Sequence, residues 1–235
     1  MNAAIILSGG IGERMRRVSG VPKQYIEVNG HPIVEYCLHT FMKSVLVDGI
    51  IIVANELWHP FILNIIEGSG TDKFWGFALP GTARQLSINN GLNKLEQVCP
   101  DIDRVIIHDA VRPLVSQKLI KGCIDSLDHA SGVMPVLPVK DTCYQSIDGE
   151  KIAKLLPRDQ LFAGQAPEAF RFAPYLAAHR VLSEAQLAAV NGSSELAYRS
   201  GMDVKMIPGE ERNFKITTPE DLILFKRYLE SGEYL

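Results

Sequence analysis

The sequence predicts an α/β fold in which a mostly parallel sheet carries helices on both faces. Three observations predict it. Short continuous apolar runs recur along the chain, as strands buried on both sides require. Segments with apolar residues four apart fill the gaps between those runs, which is the βαβ pattern. Finally, 235 residues that are 46% hydrophobic and 22% charged can bury roughly 70% of the unfolded surface without disulfide or metal staples.

The strand-like runs are residues 3–7, 49–54, 74–79, 104–108 and 132–139, the last reading "GVMPVLPV". Between them, "PIVEYCLHTFMKS" spaces Ile33, Cys37 and Phe41 by four, and "TARQLSINNGLNKLEQV" is a second helical stretch. A third, "SQKLIKGCIDSLDHA", sets Leu119, Cys123 and Leu127 on one face. Past residue 140 the texture changes. "DTCYQSIDGEKIAKLL" places Asp148-Gly149 between two strand-like arms, a two-residue hairpin signal, so a β-arm is expected at about 140–165. The chain then returns to α/β, with "DVKMIP" as a strand and "TPEDLILFKRYLES" as a helix. Thr218 reads as its N-cap and Pro219 as its first-turn proline. With no internal repeat or linker, residues 1–235 read as one domain.

Net charge is −3 and the pI is about 6.1, which argues against a nucleic-acid or anionic-membrane partner. Cys37, Cys99, Cys123 and Cys143 are far apart with no CxxC pairing. That disfavours a zinc site or disulfide framework and fits a reducing cytoplasm. The opening "MNAAIILSGG" lacks a basic region, and no apolar stretch approaches the roughly 20 residues of a membrane span.

The chemistry concentrates in "LSGGIGERMRRVSGVPKQY", residues 7–25, which holds four glycines, three arginines and a lysine. It follows a buried strand, at the sheet edge where α/β folds bind ligands. Gly9, Gly10 and Gly12 allow the backbone N–H groups after Leu7 and Ser8 to converge on one anion, and Arg14 and Lys23 add full charges. The loop is built for a polyphosphate. It is not a Walker A loop, since no G-x-x-x-x-G-K-[ST] run exists. Nor is it a dinucleotide fingerprint, because "GGIGERM" breaks the pattern and Glu35 falls inside a helix. The plain alternative is a glycine-rich turn with solvated basic residues.

Five further segments follow in order: "PGTARQLSI" (80–88), "HDAVRP" (108–113), "PVKDT" (138–142), "GQAPEAF" (164–170) and "NFKITTPEDL" (213–222). With the glycine loop they resemble the CTP-dependent cytidylyltransferases that act on methylerythritol phosphate and ribitol phosphate, over nearly the whole chain. The resemblance implies a Rossmann-like sheet of the nucleotide-diphospho-sugar transferase type with a projecting hairpin arm, and homodimers in which that arm reaches the partner's site. It also implies roles. Leu7, Ser8, Gly9, Gly10 and Gly12 hold the triphosphate, with Arg14 and Lys23 as catalytic cations. Gly81, Thr82 and Ser87 line the nucleoside pocket. Asp109 holds Mg2+, a role an aspartate at a strand end also suits on its own chemistry. Thr142, Arg158 and Lys215 grip the acceptor's phosphate, and Arg112 is a second-rank candidate. Read alone, Asp109 is also a turn cap, Ser87 a helix-surface serine, Arg112 a structural salt-bridge partner, and Thr142, Arg158 and Lys215 solvated surface residues. His108 reads as a strand-end residue satisfied by backbone rather than as a base.

The acceptor side is less regular. "GQAPEAF" is nearer the "GQTPQ" form of ribitol-phosphate enzymes, and the spacer "RVLSEAQLAAV" also looks like that branch. Yet Ala166 replaces the usual threonine and Glu168 the usual glutamine. "NGSSELA" stands where both branches carry Thr-Asp, so the acceptor-side aspartate falls at Gly192 unless Ser193 or Ser194 substitutes. The expectation is transfer of CMP from CTP to D-ribitol 5-phosphate, giving CDP-ribitol. The alternatives are 2-C-methyl-D-erythritol 4-phosphate as acceptor and, remotely, a non-catalytic nucleotide-binding protein.

Overall fold

The apolar runs do pair with one another. A computed structural model describes residues 1–10 and 20–232, and among them all five runs are strands of one eight-stranded sheet. In chain order the strands are β1 (Asn2–Leu7), β2 (Glu27–Val28), β3 (His31–Pro32), β4 (Gly49–Val53), β5 (Phe74–Ala78), β6 (Arg104–Asp109), β7 (Gly132–Pro138), β8 (Cys143–Gln145), β9 (Lys154–Leu156), β10 (Phe162–Gly164), β11 (Glu168–Arg171) and β12 (Val204–Pro208). The main sheet runs β10-β7-β11-β6-β1-β4-β5, with β12 on the other edge of β7. The pairs β1–β4, β1–β6, β4–β5 and β12–β7 are parallel, whereas β10 and β11 run antiparallel to β7. The sheet is therefore mostly parallel and mixed at one side, as a return strand after an arm requires.

Register places the site. Leu7 lies opposite both Val53 and Asp109, so the carboxyl ends of β1, β4 and β6 stand abreast and open one crevice.

Eight helices flank the sheet among the described residues: α1 (Ile33–Lys43), α2 (His59–Ser69), α3 (Arg84–Val98), α4 (Gln117–Ser126), α5 (Phe172–Arg180), α6 (Glu184–Ala188), α7 (Ser193–Arg199) and α8 (Pro219–Glu230). Alternation along β1 divides the core between two faces. Ala4 and Ile6 pack with Cys37, Phe41 and Cys123, while Ala3 and Ile5 pack with Ile88, Leu92 and Leu95. Both faces are thus covered, as the continuous apolar strands demand. Thr218 caps α8, accepting from the Asp221 N–H while the Asp221 carboxylate returns to the Thr218 N–H, with Pro219 in the first turn.

The hairpin reading needs correction. β8 and β9 do pair, but Gln145 faces Lys154, so residues 146–153 form the connection rather than Asp148-Gly149 alone. The Asp148 carboxylate accepts from the N–H groups of Glu150 and Lys151 at 2.9 and 3.0 Å, and Ser146 Oγ accepts from Gly149 N. Asp148 nucleates a local side-chain turn that competes with ladder pairing. Gly149, at φ 78°, supplies the left-handed residue. No helix among the described residues is long and apolar enough to cross a membrane.

Candidate active site

The segment entering the glycine loop is tied down from below. Ser8 donates its N–H to the Val53 carbonyl at 2.8 Å, extending the β1–β4 ladder. Gln24 Nε2 donates to the carbonyls of Ser8 (2.7 Å) and Gly10 (2.9 Å). Two ends of the loop are thereby joined, and Lys23, the neighbour of Gln24, is fixed near Gly9 and Gly10. Glycine at position 9 is required by contact, since a Cβ there would lie 2.4 Å from Pro80 Cβ. That close approach brings the 80–83 turn onto the loop. At Gly81 a Cβ would lie 2.4 Å from Leu86 Cβ, and its N–H is received by Ser87 Oγ at 3.0 Å. Helix α3 starts just beyond, with Ala83 at its N-cap and no capping side chain, a form of helix start that suits an anion.

These parts line one cavity of about 660 Å3, bounded by Lys23, Gly9 and Gly10, by Gly81, Thr82 and Ser87, and by a wall of Arg84, Asp109 and Lys215. The wall is a charge cluster. Asp109 meets Lys215 Nζ at 3.0 Å, Arg84 Nη2 at 3.3 Å and Arg112 Nε at 3.8 Å. Burial pushes its carboxyl pKa up, but Arg84, Lys215 and Arg112 outweigh burial and hold it well below the usual carboxylate range. Arg84 reaches further, donating to Ser193 Oγ at 2.5 Å and to Glu168 Oε1 at 3.4 Å. Burial alone would lower its pKa, yet Asp109 and Glu168 leave it raised. Three cations thus share two carboxylates, so this wall carries a positive excess facing the cavity.

The segment carrying Lys215 is held by amides. Gln165 donates to the Glu210 carbonyl (2.9 Å) and accepts from the Glu210 N–H (3.0 Å). Asn213 Nδ2 donates to the Ala166 carbonyl at 2.6 Å, and Arg112 Nη1 to the Asn213 carbonyl at 2.7 Å. His108 is buried beneath, its Nε2 3.1 Å from the Arg112 carbonyl. Burial lowers its pKa to about 4, so at neutral pH it is an uncharged strand-end residue and not a surface base.

Leu7, Gly9, Gly10, Lys23, Gly81, Thr82, Ser87, Asp109 and Lys215 therefore converge on one cavity. Ser8 is buried at its edge and Arg112 stands behind Asp109. Thr142 and Arg158 do not join them. Both are exposed at the arm, where Arg158 Nη1 donates to the Lys140 carbonyl at 3.0 Å. Gly12 and Arg14 lie outside the described residues. Sequence reasoning missed Arg84, although it sits inside the quoted "PGTARQLSI". A basic residue in a helix's first turn reads as solvated until its partners, 25 to 109 residues away, are known.

The family model for IspD, 2-C-methyl-D-erythritol 4-phosphate cytidylyltransferase, matches residues 2–231. The chain belongs to the IspD family. It is a cytidylyltransferase, one of the nucleotidyltransferase enzymes, and its relatives carry two names. It is 38% identical to 2-C-methyl-D-erythritol 4-phosphate cytidylyltransferase of Rubrobacter xylanophilus, across 98% of this chain and 95% of that one. It is 30% identical to ribitol-5-phosphate cytidylyltransferase of Streptococcus agalactiae serotype V, across 99% and 97%. Among solved structures, the IspD-type 4-diphosphocytidyl-2C-methyl-D-erythritol synthase of Anaerococcus prevotii superposes with a TM-score of 0.83 at 30% identity, covering 98% and 96% of the two chains.

Proposed function

We propose that the cavity binds CTP and a polyol phosphate, moves CMP between them and releases pyrophosphate. The observation that carries this reading is the positive wall of Arg84 and Lys215 on Asp109, backed by Arg112, lining one cavity with Lys23, Gly9 and Gly10. The acceptor's phosphate oxygen attacks the α-phosphorus of CTP. A new P–O bond forms as the bond from the α-phosphorus to the bridging oxygen breaks, and pyrophosphate leaves with that electron pair. The nucleophile comes with the substrate, so no serine, cysteine or histidine need be activated. What the protein supplies is approach of two polyanions and fixed positive charge where negative charge gathers. Lys23 serves the transferring phosphoryl group, with Arg14 nine residues earlier in the sequence; Lys215 serves the acceptor phosphate, and Arg112, behind Asp109, is the second-rank candidate for it.

Among the described residues no three His, Cys, Asp or Glu side chains form a metal cluster, and the cavity offers one carboxylate, Asp109. That donor set suits Mg2+ arriving on the triphosphate, since this ion keeps several waters and takes one or two protein carboxylates plus phosphate oxygens. Held by Asp109, it would neutralise charge on the phosphoryl oxygens.

D-ribitol 5-phosphate is our first acceptor, on the "GQAPEAF" form and the following spacer. Methylerythritol phosphate is the second reading, favoured by the higher identity to the Rubrobacter protein. Thr142 and Arg158 complete the acceptor site of a second copy, in a cytoplasmic homodimer joined through the arm. Pyrophosphate release from CTP with each acceptor, compared by kcat/KM, tests the reading. Ribitol phosphate should lead, a clear lead for methylerythritol phosphate would reverse the ranking, and no release with any polyol phosphate would defeat the activity.

A further inference from the structure

The two places where this chain departs from the family form touch each other. Glu168 opens β11, and Ser193 and Ser194 open α7, yet Ser194 donates to Glu168 Oε2 twice, from its N–H at 2.8 Å and from its Oγ at 2.6 Å. The other Glu168 oxygen faces Arg84 Nη2 at 3.4 Å, and Arg84 Nη1 donates to Ser193 Oγ at 2.5 Å. Glu168 is 7% exposed, and both serines are buried.

A half-buried guanidinium, like that of Arg84 with 26% of its side chain exposed, is held in place by carboxylate partners, and leaving it under-matched is unfavourable. Asp109 cannot meet that need alone, because Lys215 and Arg112 draw on it as well. The family form has a neutral glutamine at 168 and its aspartate at the Gly192 position; this chain has a carboxylate at 168, glycine at 192, and the Ser193 hydroxyl against Arg84. We infer that Glu168 supplies the second counter-ion of Arg84 and is a positioning residue that holds the guanidinium against Asp109. One carboxylate is required between positions 168 and 193. None leaves Arg84 under-matched, and two place like charges together in a buried pocket. The inference rests on the proposed activity only for its kinetic readout.

The test is a charge-swap cycle of Glu168→Gln, Ser193→Asp and the double variant. Glu168→Gln with Ser193→Asn serves as the control for size. Pyrophosphate release and thermal unfolding without substrate are read on all of them. Each single variant should lose about 30-fold or more in kcat/KM, the order expected when a reacting group is displaced, and should lower Tm. The double variant should recover most of both, and the Asn control neither. Losses that accumulate in the double variant, or a recovery matched by the Asn control, would overturn the counter-ion role. Recovery of Tm without turnover would overturn the positioning role. Should Glu168→Gln alone fail to fold, a folded double variant is itself the recovery, and an unfolded one defeats the inference. Absent turnover in the parent protein would defeat the activity reading instead, and the Tm cycle would still decide this one.

Discussion

The Asp109 wall and the β8–β9 arm satisfy their side chains in opposite ways. Asp109 is 7% exposed and gathers three cations from positions 84, 112 and 215, all within 3.8 Å. On the arm, Ile147 is 92% exposed and Tyr144 56%, and the short strands pair only with each other. A two-stranded sheet left in water is marginal, and apolar side chains held in the open point to a covering surface. The comparison teaches where this chain is complete. Its charge wall is closed by its own long-range contacts, whereas its arm leaves Thr142, Arg158 and apolar side chains exposed, as the proposed dimer requires.

The largest effect expected on the complete side comes from Lys23→Ala. A fixed charge that acts on the transition state costs about 2.7–4 kcal/mol when removed, so turnover should fall 100-fold or more while CTP binding weakens far less. Single-turnover rates and CTP titration check this, and near-normal turnover would break the role. Asp109→Asn comes next. Removing a buried partner from its cations costs about 3–5 kcal/mol, so Tm should drop and Mg2+-dependent activity should vanish. Activity untouched by complete chelation would remove the metal role.

Acid should weaken the wall before the arm. The Asp109 carboxyl is depressed in the folded state, so its stabilisation is present above the unfolded value of about 3.9 and is lost as pH falls toward the folded one. His108 and His179 are lowered to about 4 by burial, so only the unfolded chain takes up their protons between about 6.5 and 4. All three groups make stability decline on acidification. A Tm that stays flat from pH 7 to 4.5 would contradict the histidine part, and one that stays flat below about pH 3.9 the Asp109 part. The smallest effect is expected from Ile147→Ser, an exposed side chain. It should change monomer stability by less than about 0.5 kcal/mol yet weaken self-association, which sedimentation at graded concentration would measure.

The same contrast governs what the sequence reveals. Strand runs such as residues 104–108 and the Thr218–Asp221 cap are local, so period and cap chemistry disclose them. Helix α2 escaped because "HPFILNIIEGS" is apolar nearly all round and shows no clean face. The arm's turn escaped because Asp-Gly signals a tight hairpin, whereas Asp148 spends its carboxylate on N–H groups two and three residues on. At the site, the glycine loop, Asp109 and Lys215 were legible through ordered motifs. The Arg84–Glu168–Ser193 contacts were not, because they join positions up to 109 residues apart whose residue types are individually unremarkable.

The proposed division between a cleft complete in one chain and an arm completed by another is tested most directly by mixing two inactive variants, Lys23→Ala and Arg158→Ala, and letting subunits exchange. If Arg158 serves the neighbouring site and Lys23 its own, each mixed dimer holds one site with both lesions and one with neither. Random exchange makes about half the dimers mixed, so pyrophosphate release should return to about a quarter of the unmutated level. If Arg158 acts within its own chain, every site keeps a lesion, and no recovery after verified exchange would contradict the account.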